Sequence, residues 1–525
     1  MLYIESWKRG KKGVYQVILA GLLLLTACND ASINRERPQD IKAFQTLKVK
    51  EYALNSPSVR ESLEHLISAD KDSSQADFFL RRYYREKNPL VWVGKFGVSS
   101  QADVLVEFLK TAVNDIGFTE RSFHVRELEN DISTFRTLDF TPQRHASDIA
   151  AHVEYYLMKA YLRFVMGQRY GFVNPSQLLN HLSLSATDSL GNPTVFQSLF
   201  DIKMEHPARD FAQQAALHVS NGKMEQFLRD VMPTDTLYLR LKVMLGGTTG
   251  AARTKLLVNM ERRRWRVSEM PRDKYVLVNI AAYHLWAVSP DTVIDMRIGC
   301  GAQKTKTPLL TSTITHMEIN PEWVIPMSIV KTDVARHGGD SSYFSRHNYY
   351  IAERSTGTIL QPQYVTPAML LSGKLKVAQK GGRGNALGRI IFRFANKYSV
   401  FLHHTSSPGF FESANRSVSH GCVRVQQPFE LAKFLLPDAD EWRLDKLRLA
   451  MGLQPETTKG MEYLDSHEPE DLQKLIKWVK VEPCVPLFIT YYTIYPHPVT
   501  GQLTYYPDVY GYDKCIEKAI KPFML

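Results

Sequence analysis

At Lys274 the hydrophobic repeat of the chain changes period, and this change constrains the architecture more than any other feature. Upstream, from about Ser73 to Gly171, apolar residues return at helical spacing: Phe78, Phe79, Tyr83 and Tyr84, then Val104, Leu105, Phe108 and Leu109, then Ile149, Val153, Tyr156, Leu157 and Tyr161. Such spacing lines one face of a helix, and the pattern continues from Ser176 to Met244, broken near Pro233 and Gly246-Gly247. Downstream, Tyr275 to Ile280, Tyr283 to Val288 and Thr292 to Ile298 are short β-branched and aromatic runs separated by turn residues, the pattern of strands. With 525 residues and 44% apolar content, the chain has material for more than one core. The expected fold class is α+β, a helical scaffold over 51–255 followed by a β-rich sandwich or barrel over 273–435, with 436–525 completing the two. The aromatic stripes upstream read as helix packing rather than as a binding platform.

One motif carries chemistry. His403 to Val425 reads HHTSSPGFFESANRSVSHGCVRV, which places Cys422 directly after Ser419-His420-Gly421 and nineteen residues beyond His403. A free thiol has a pKa of about 8.5, and only the thiolate is a good nucleophile. An imidazole in reach is expected to depress that value, and a shift of about two units, each worth about 1.4 kcal/mol, makes Cys422 largely ionised. The chemistry implied is acyl transfer through a thioester. Gly421 gives the backbone freedom for close approach, and the N–H groups of Gly421 and Cys422 are candidates for an oxyanion hole. Phe401, two residues before His403, shares its face if the segment is a strand, and is placed to pack beside a substrate. Arg424 and Arg416 each admit two readings, a fork for a substrate carboxylate or a salt bridge within the fold.

This pattern resembles the active-site signature of L,D-transpeptidases with a YkuD-type catalytic domain. The resemblance makes Cys422 the nucleophile, His403 the base and the backbone carbonyl of His404 the group that orients the imidazole; His420 falls close to the nucleophile without being the base, and Ser419, His420, Arg424, Arg416, Phe401 and Trp323 are expected around the substrate. It extends to Asn385-Ala386-Leu387-Gly388, to Arg389–Phe394 and Tyr398–His403, to Lys304-Thr305-Lys306-Thr307-Pro308 and to Asn320-Pro321-Glu322-Trp323-Val324-Ile325-Pro326. It implies the large periplasmic branch of the family, with a scaffold before the catalytic domain and a capping insertion, placed here at 331–380. That segment is polar and rich in Tyr, and too long for a plain loop; it reads as a lid over the acyl-donor groove, with a surface insertion clear of the substrate as the competing account. Trp323 reads as core or cleft wall. The family's small wall-binding helical module has no room between Leu245 and Lys255. The substrates implied are peptidoglycan stem peptides: a donor tetrapeptide that loses its terminal D-alanine and an acceptor amine that completes a 3-3 cross-link. L,D-carboxypeptidase action and D-amino-acid exchange draw on the same acyl-enzyme. No cofactor is implied.

The first 28 residues carry Lys8, Arg9, Lys11 and Lys12, an apolar run from Val14 to Leu25, and then Thr26-Ala27-Cys28. This describes a secretory signal, too short to span a bilayer, and its Leu-Thr-Ala-Cys ending resembles a bacterial lipobox. Cys28 is then the lipidated first residue of an exported protein held at the periplasmic face of a membrane, with 29–50 as spacer. The net charge is +11; the signal supplies +3 of it once Glu5 is subtracted. What remains is spread along the chain without basic runs interleaved with aromatics, which argues against nucleic acid. Three further cysteines, Cys300, Cys484 and Cys515, leave a 484–515 disulfide or reduced thiols open. Readings from other classes are a zinc set of His403, His404, His420 and Cys422, which lacks a second pair of ligands, and a non-catalytic wall-binding lipoprotein.

Overall fold

The computed structural model describes residues 49–180, 198–266, 271 and 273–524. The signal stretch, Cys28 and nearly all of the spacer fall outside these residues. Among the described residues, no helix is long and apolar enough to cross a membrane.

The helical pattern becomes a bundle built round one helix. In chain order α1 spans Ser56–Ala69, α2 Gln75–Arg85, α3 Ser100–Asp115, α4 Val125–Thr137 and α5 Ala146–Tyr170. Helix α1 starts where Asn55 accepts from the Ser58 N–H, and α2 starts at a reciprocal capping box between Ser74 and Asp77; such caps satisfy backbone donors that a helix leaves open. Helix α5 is buried on nearly every side, as a bundle's central helix must be. Its polar residues are therefore paired inside. Arg163 bonds Asp77 and Asp72, and Lys159 bonds Asp70 and Asp72. The bundle's core runs from Leu54 to Val231 and takes in Phe523, from the C-terminal helix α11 (Tyr512–Met524). Helices α8 (Thr236–Leu245) and α9 (Gly250–Arg264) put Leu237, Leu241, Leu256, Leu257 and Met260 into the other core, with the strands. The helical pattern thus runs past Val231, the last bundle-core residue before the C-terminal helix, and Leu179 and Phe200 already join the barrel core ahead of it.

Eight strands then pair in a closed ring. They are β1 (Tyr275–Asn279), β2 (His284–Val288), β3 (Val293–Gly301), β4 (Leu309–Ile319), β9 (Ile390–Phe394), β10 (Leu402–His403), β12 (Val423–Val425) and β13 (Trp478–Thr490), ordered β9-β10-β12-β3-β2-β1-β13-β4 with β4 returning to β9. The sandwich is thereby a closed barrel, which leaves none of these strands with an open edge. Only β10–β12 and β1–β13 are parallel neighbours. The C-terminal region supplies β13 between β1 and β4, completing the ring. Ahead of β13 a short helix covers only Pro469–Leu472, because Trp478 and Val479 pair with Glu318 and Met317 of β4.

The capping insertion is a small folded unit and not a loose segment. Strands β5 (Trp323–Val324), β6 (Tyr349–Glu353), β7 (Ile359–Leu360) and β8 (Leu375–Gln379) form their own sheet, ordered β7-β6-β8-β5, over a core of Ile325, Val330, Val334, Phe344, Ile351 and Val377. It begins at Trp323, earlier than the polar composition suggested. Trp323 packs against that core, so it belongs to the cap.

Candidate active site

The parallel joint between β10 and β12 builds the site. Leu402 sits opposite Val423 and His403 opposite Arg424, and the bond from the Val423 N–H to the Phe401 carbonyl, 3.1 Å, continues this register to Phe401 beside Cys422. Side chains alternate across a sheet. Leu402, Val423 and Val425 therefore point into the barrel core, while Phe401, His403, Cys422 and Arg424 share the outer face. Neighbouring strands lie about 4.8 Å apart and residues two apart on a strand lie about 6.6 Å apart, so His403 and Cys422 are diagonal neighbours at about 8 Å between Cα atoms. Nineteen residues of sequence collapse to one step across a sheet.

Cys422 ends a tight turn whose parts are all engaged. Gly421 has φ +122°, a conformation that only glycine adopts without strain. The Ser419 hydroxyl donates to the Cys422 carbonyl at 2.5 Å and accepts from the Gly421 N–H at 3.1 Å. Thr307 donates to the Gly421 carbonyl at 2.8 Å and Thr305 to the Ser419 carbonyl at 2.8 Å. Tyr510 supports both from behind, accepting from the Thr307 N–H and donating to the Gly301 carbonyl. Two expectations change. Ser419, 4% exposed, has its hydroxyl committed to the turn rather than to a substrate. Gly421 has its N–H committed to Ser419, which leaves the Cys422 N–H as the oxyanion candidate of the pair.

The residue Cys422 is half-exposed, but its thiol lies in a recess. Sγ is 3.9 Å from the Ser399 carbonyl, and no hydrogen bond joins it to His403. Burial pushes the thiol above its ordinary value, opposed by the Phe401 N–H and the charges of Arg393 and Arg424. His403 is 4% exposed. Burial, reinforced by the Arg424 charge, pulls its imidazole down to about 3, against the backbone carbonyls of His404 and Leu387, which favour the protonated ring. Nδ1 is buried without a hydrogen bond of good geometry, so these carbonyls act on the ring without closing a bond to it. Burial thus works against the expected resting thiolate, since it penalises a charge on either partner.

The remaining expected residues divide. Arg424 stands on the reacting face with its Nε buried and unpartnered and its guanidinium 5.2 Å from the centre of the Phe410 ring. Arg416 donates to the carbonyls of Ile298, Ser413 and Tyr283 and lies over the Tyr283 ring; its fork is occupied, which corrects the substrate-binding expectation. His420 is exposed at the turn. Phe401 lies 6.1 Å from the His403 ring and carries the Arg393 guanidinium at 4.7 Å on its face, with Arg393 held by Glu318 in two bonds. His404 turns its side chain away, accepting from the Arg389 N–H at 3.1 Å. Among the described residues no group of three or more His, Cys, Asp or Glu gathers as a metal site, and Cys300, Cys422, Cys484 and Cys515 are all free, with Cys484 exposed. Arg393, Thr305 and Thr307 lie in segments that the resemblance covers without giving them a role, and nothing local signals Tyr510, 88 residues beyond Cys422.

Residues 273–446 match the model of the L,D-transpeptidase catalytic domain, YkuD, and residues 79–245 match that of a Scaffold domain. The chain carries a YkuD L,D-transpeptidase catalytic domain behind a scaffold domain. It is 24% identical over 321 residues to a Haemophilus influenzae protein named "Putative L,D-transpeptidase", covering 60% of each chain. It therefore spans about three fifths of that relative's length. A solved L,D-transpeptidase from Mycobacterium smegmatis shares 15% identity over 42% of this chain and 58% of its own, with a TM-score of 0.19. The transpeptidase match contains the whole Cys422–His403 face and the cap.

Proposed function

We propose that the protein is a cysteine-dependent peptidoglycan L,D-transpeptidase, and the observation that carries the reading is the placement of Cys422 and His403 on one face of two parallel neighbouring strands inside the transpeptidase domain. The donor is a stem tetrapeptide whose third-residue carbonyl enters the recess. Neutral His403 takes the thiol proton as Sγ attacks. The Phe401 N–H and the charges of Arg393 and Arg424 favour the developing thiolate, and the Cys422 N–H serves the oxyanion. An imidazolium in so dry a place is a strong acid, so it passes its proton to the departing D-alanine amine, leaving the thioester. The acceptor, a third-residue side-chain amine of another stem, then gives a proton to His403 and displaces the sulfur, which recovers the proton. The product is a 3-3 cross-link. Arg424, with a free buried Nε, is assigned to a substrate carboxylate. The basic start, the short apolar run and Cys28 support export and a lipid tether at the periplasmic face of a membrane.

Mass spectrometry after exposure to a carbapenem tests the nucleophile: a covalent adduct is expected in the parent protein and none in Cys422→Ala. Incubation with a purified disaccharide-tetrapeptide tests the outcome. A dimer with loss of D-alanine is expected; loss of D-alanine without a dimer replaces cross-linking by hydrolysis, and no adduct in the parent protein ends the reading.

A further inference from the structure

The cap joins the barrel by two crossings, outward at Ile319–Pro321 and back at Gln379–Leu387, and both meet at one side chain. Asn385 is completely buried. Its Nδ2 donates to the carbonyls of Pro321 at 3.2 Å, Gln379 at 3.2 Å and Lys380 at 2.9 Å, and its Oδ1 accepts from the Leu387 N–H at 2.8 Å. Its own carbonyl accepts from the Gly388 N–H at 2.8 Å. Gln379 braces the same turn, accepting from the Ala386 N–H and donating to the Gly384 carbonyl. A buried amide with this many partners specifies one arrangement of the chains around it.

That turn ends against the base. The Leu387 carbonyl is one of the two that act on the His403 ring, and the other belongs to His404. Gly388, at φ +67°, packs so closely on His404 that a Cβ there would lie 2.6 Å from the His404 Cβ and 2.7 Å from its carbonyl carbon. The Arg389 N–H then fixes the His404 side chain. We propose that Asn385 is a positioning residue for His403: by tying the two crossings of the cap to the 385–388 turn, it sets the Leu387 carbonyl and the His404 backbone against the catalytic ring. This rests on the transpeptidase reading, in which His403 is the base.

The test is the rate at which a carbapenem acylates Cys422 in the full chain from pH 7 to about 10, across the range where a free thiol ionises unaided. At pH 7 Asn385→Ala is expected to be slower by on the order of 10-fold or more, part of the 10²–10⁴ a positioned base supplies. The carbapenem concentration for half-saturation is unchanged, and the gap narrows steadily as pH rises toward 10, as it does in His403→Ala, because a growing share of the thiol ionises without help. Asn320→Gly, which releases the outward crossing from the Ala450 and Gln473 carbonyls and from the Arg389 guanidinium while leaving the Asn385 bonds in place, keeps the parent's pH dependence. A deficit that is constant with pH, one confined to half-saturation, or parent-like rates overturn the proposal. If Asn385→Ala does not fold, Asn385→Ser is read by the same criteria. A parent protein that takes no adduct, or a His403→Ala variant that reacts like the parent at every pH, ends the transpeptidase reading instead.

Discussion

Glu154 in the helical bundle and His403 in the barrel are both buried and titratable, and they are treated in opposite ways. Glu154 accepts from the Val91, Trp92 and Val93 N–H groups and from the Tyr84 hydroxyl, so the carboxylate that burial pushes up has a donor for each direction it faces. His403 has a buried Nδ1 with no well-aligned partner. Both are expensive positions, since an unpaired buried polar group costs about 1–3 kcal/mol. In the bundle the chain spends side chains to remove that cost, and the polar group becomes a structural tie. In the barrel the cost is left in place, and no hydrogen bond ties the ring into the fold at that nitrogen.

The largest test of this contrast is His403→Gln, which keeps a polar group in the niche but removes the base. Carbapenem acylation at pH 7 is expected to fall by about 10² to 10⁴ while the free energy of urea unfolding stays within about 0.5 kcal/mol of the parent or rises, since a poorly satisfied group has been replaced. Glu154→Leu should do the reverse. It strands three backbone N–H groups and leaves the Tyr84 hydroxyl only the Glu154 carbonyl, for a loss of about 3 kcal/mol or more in urea unfolding, with the acylation rate of the folded protein unchanged within about 2-fold. A Glu154 variant that slows acylation, or a His403 variant that unfolds, breaks the division between tie and tool.

Acid titration sharpens it. The folded His403 holds a pKa of about 3 against about 6.5 when unfolded, so the unfolded chain binds the proton that the folded one refuses. Stability is complete above about 6.5 and is lost as pH falls from there toward 3. His124, which burial and the Arg163 and Lys159 charges bring to about 4, gives the bundle a slope of the same sign. Urea midpoints between pH 7 and 4 should fall in the parent and fall less steeply in His403→Gln; an unchanged slope places the whole effect in the bundle. The smallest expected effect is Ser419→Ala, which removes a bond to the Cys422 carbonyl and the acceptor of the Gly421 N–H. About 1–2 kcal/mol of stability and a fall in acylation of about 10-fold are expected, the second because freeing the turn loosens the Cys422 N–H from its place at the oxyanion.

The motif could be read directly because its spacing is local and its geometry follows from strand alternation: once β10 and β12 pair in parallel, Phe401, His403, Cys422 and Arg424 must share a face. Ser419 and Arg416 were misplaced for the converse reason. A serine or arginine near a nucleophile looks the same in sequence whether it faces a substrate or a carbonyl of its own chain, and three backbone carbonyls decided Arg416. The cap was under-read because its two longest strands, Tyr349–Glu353 and Leu375–Gln379, lie more than twenty residues apart, so neither shows its partner locally. The protonation state was misjudged because spacing reports which groups meet, while burial decides which charges the site tolerates.

By itself the sequence determined the change from helical to strand periodicity near Lys274, the thiol and imidazole proposed as the reacting pair, and a catalytic domain preceded by a helical scaffold, all carried by residue types and short-range spacing. Only the tertiary structure decided that the strands close into a ring, that α8 and α9 serve the barrel core, that burial works against a charge on the thiol or the imidazole, and that Tyr510 backs the Thr307 support of the 419–422 turn from a distant part of the chain. These depend on which surfaces meet and how much water they exclude, quantities that exist only once the chain has closed on itself.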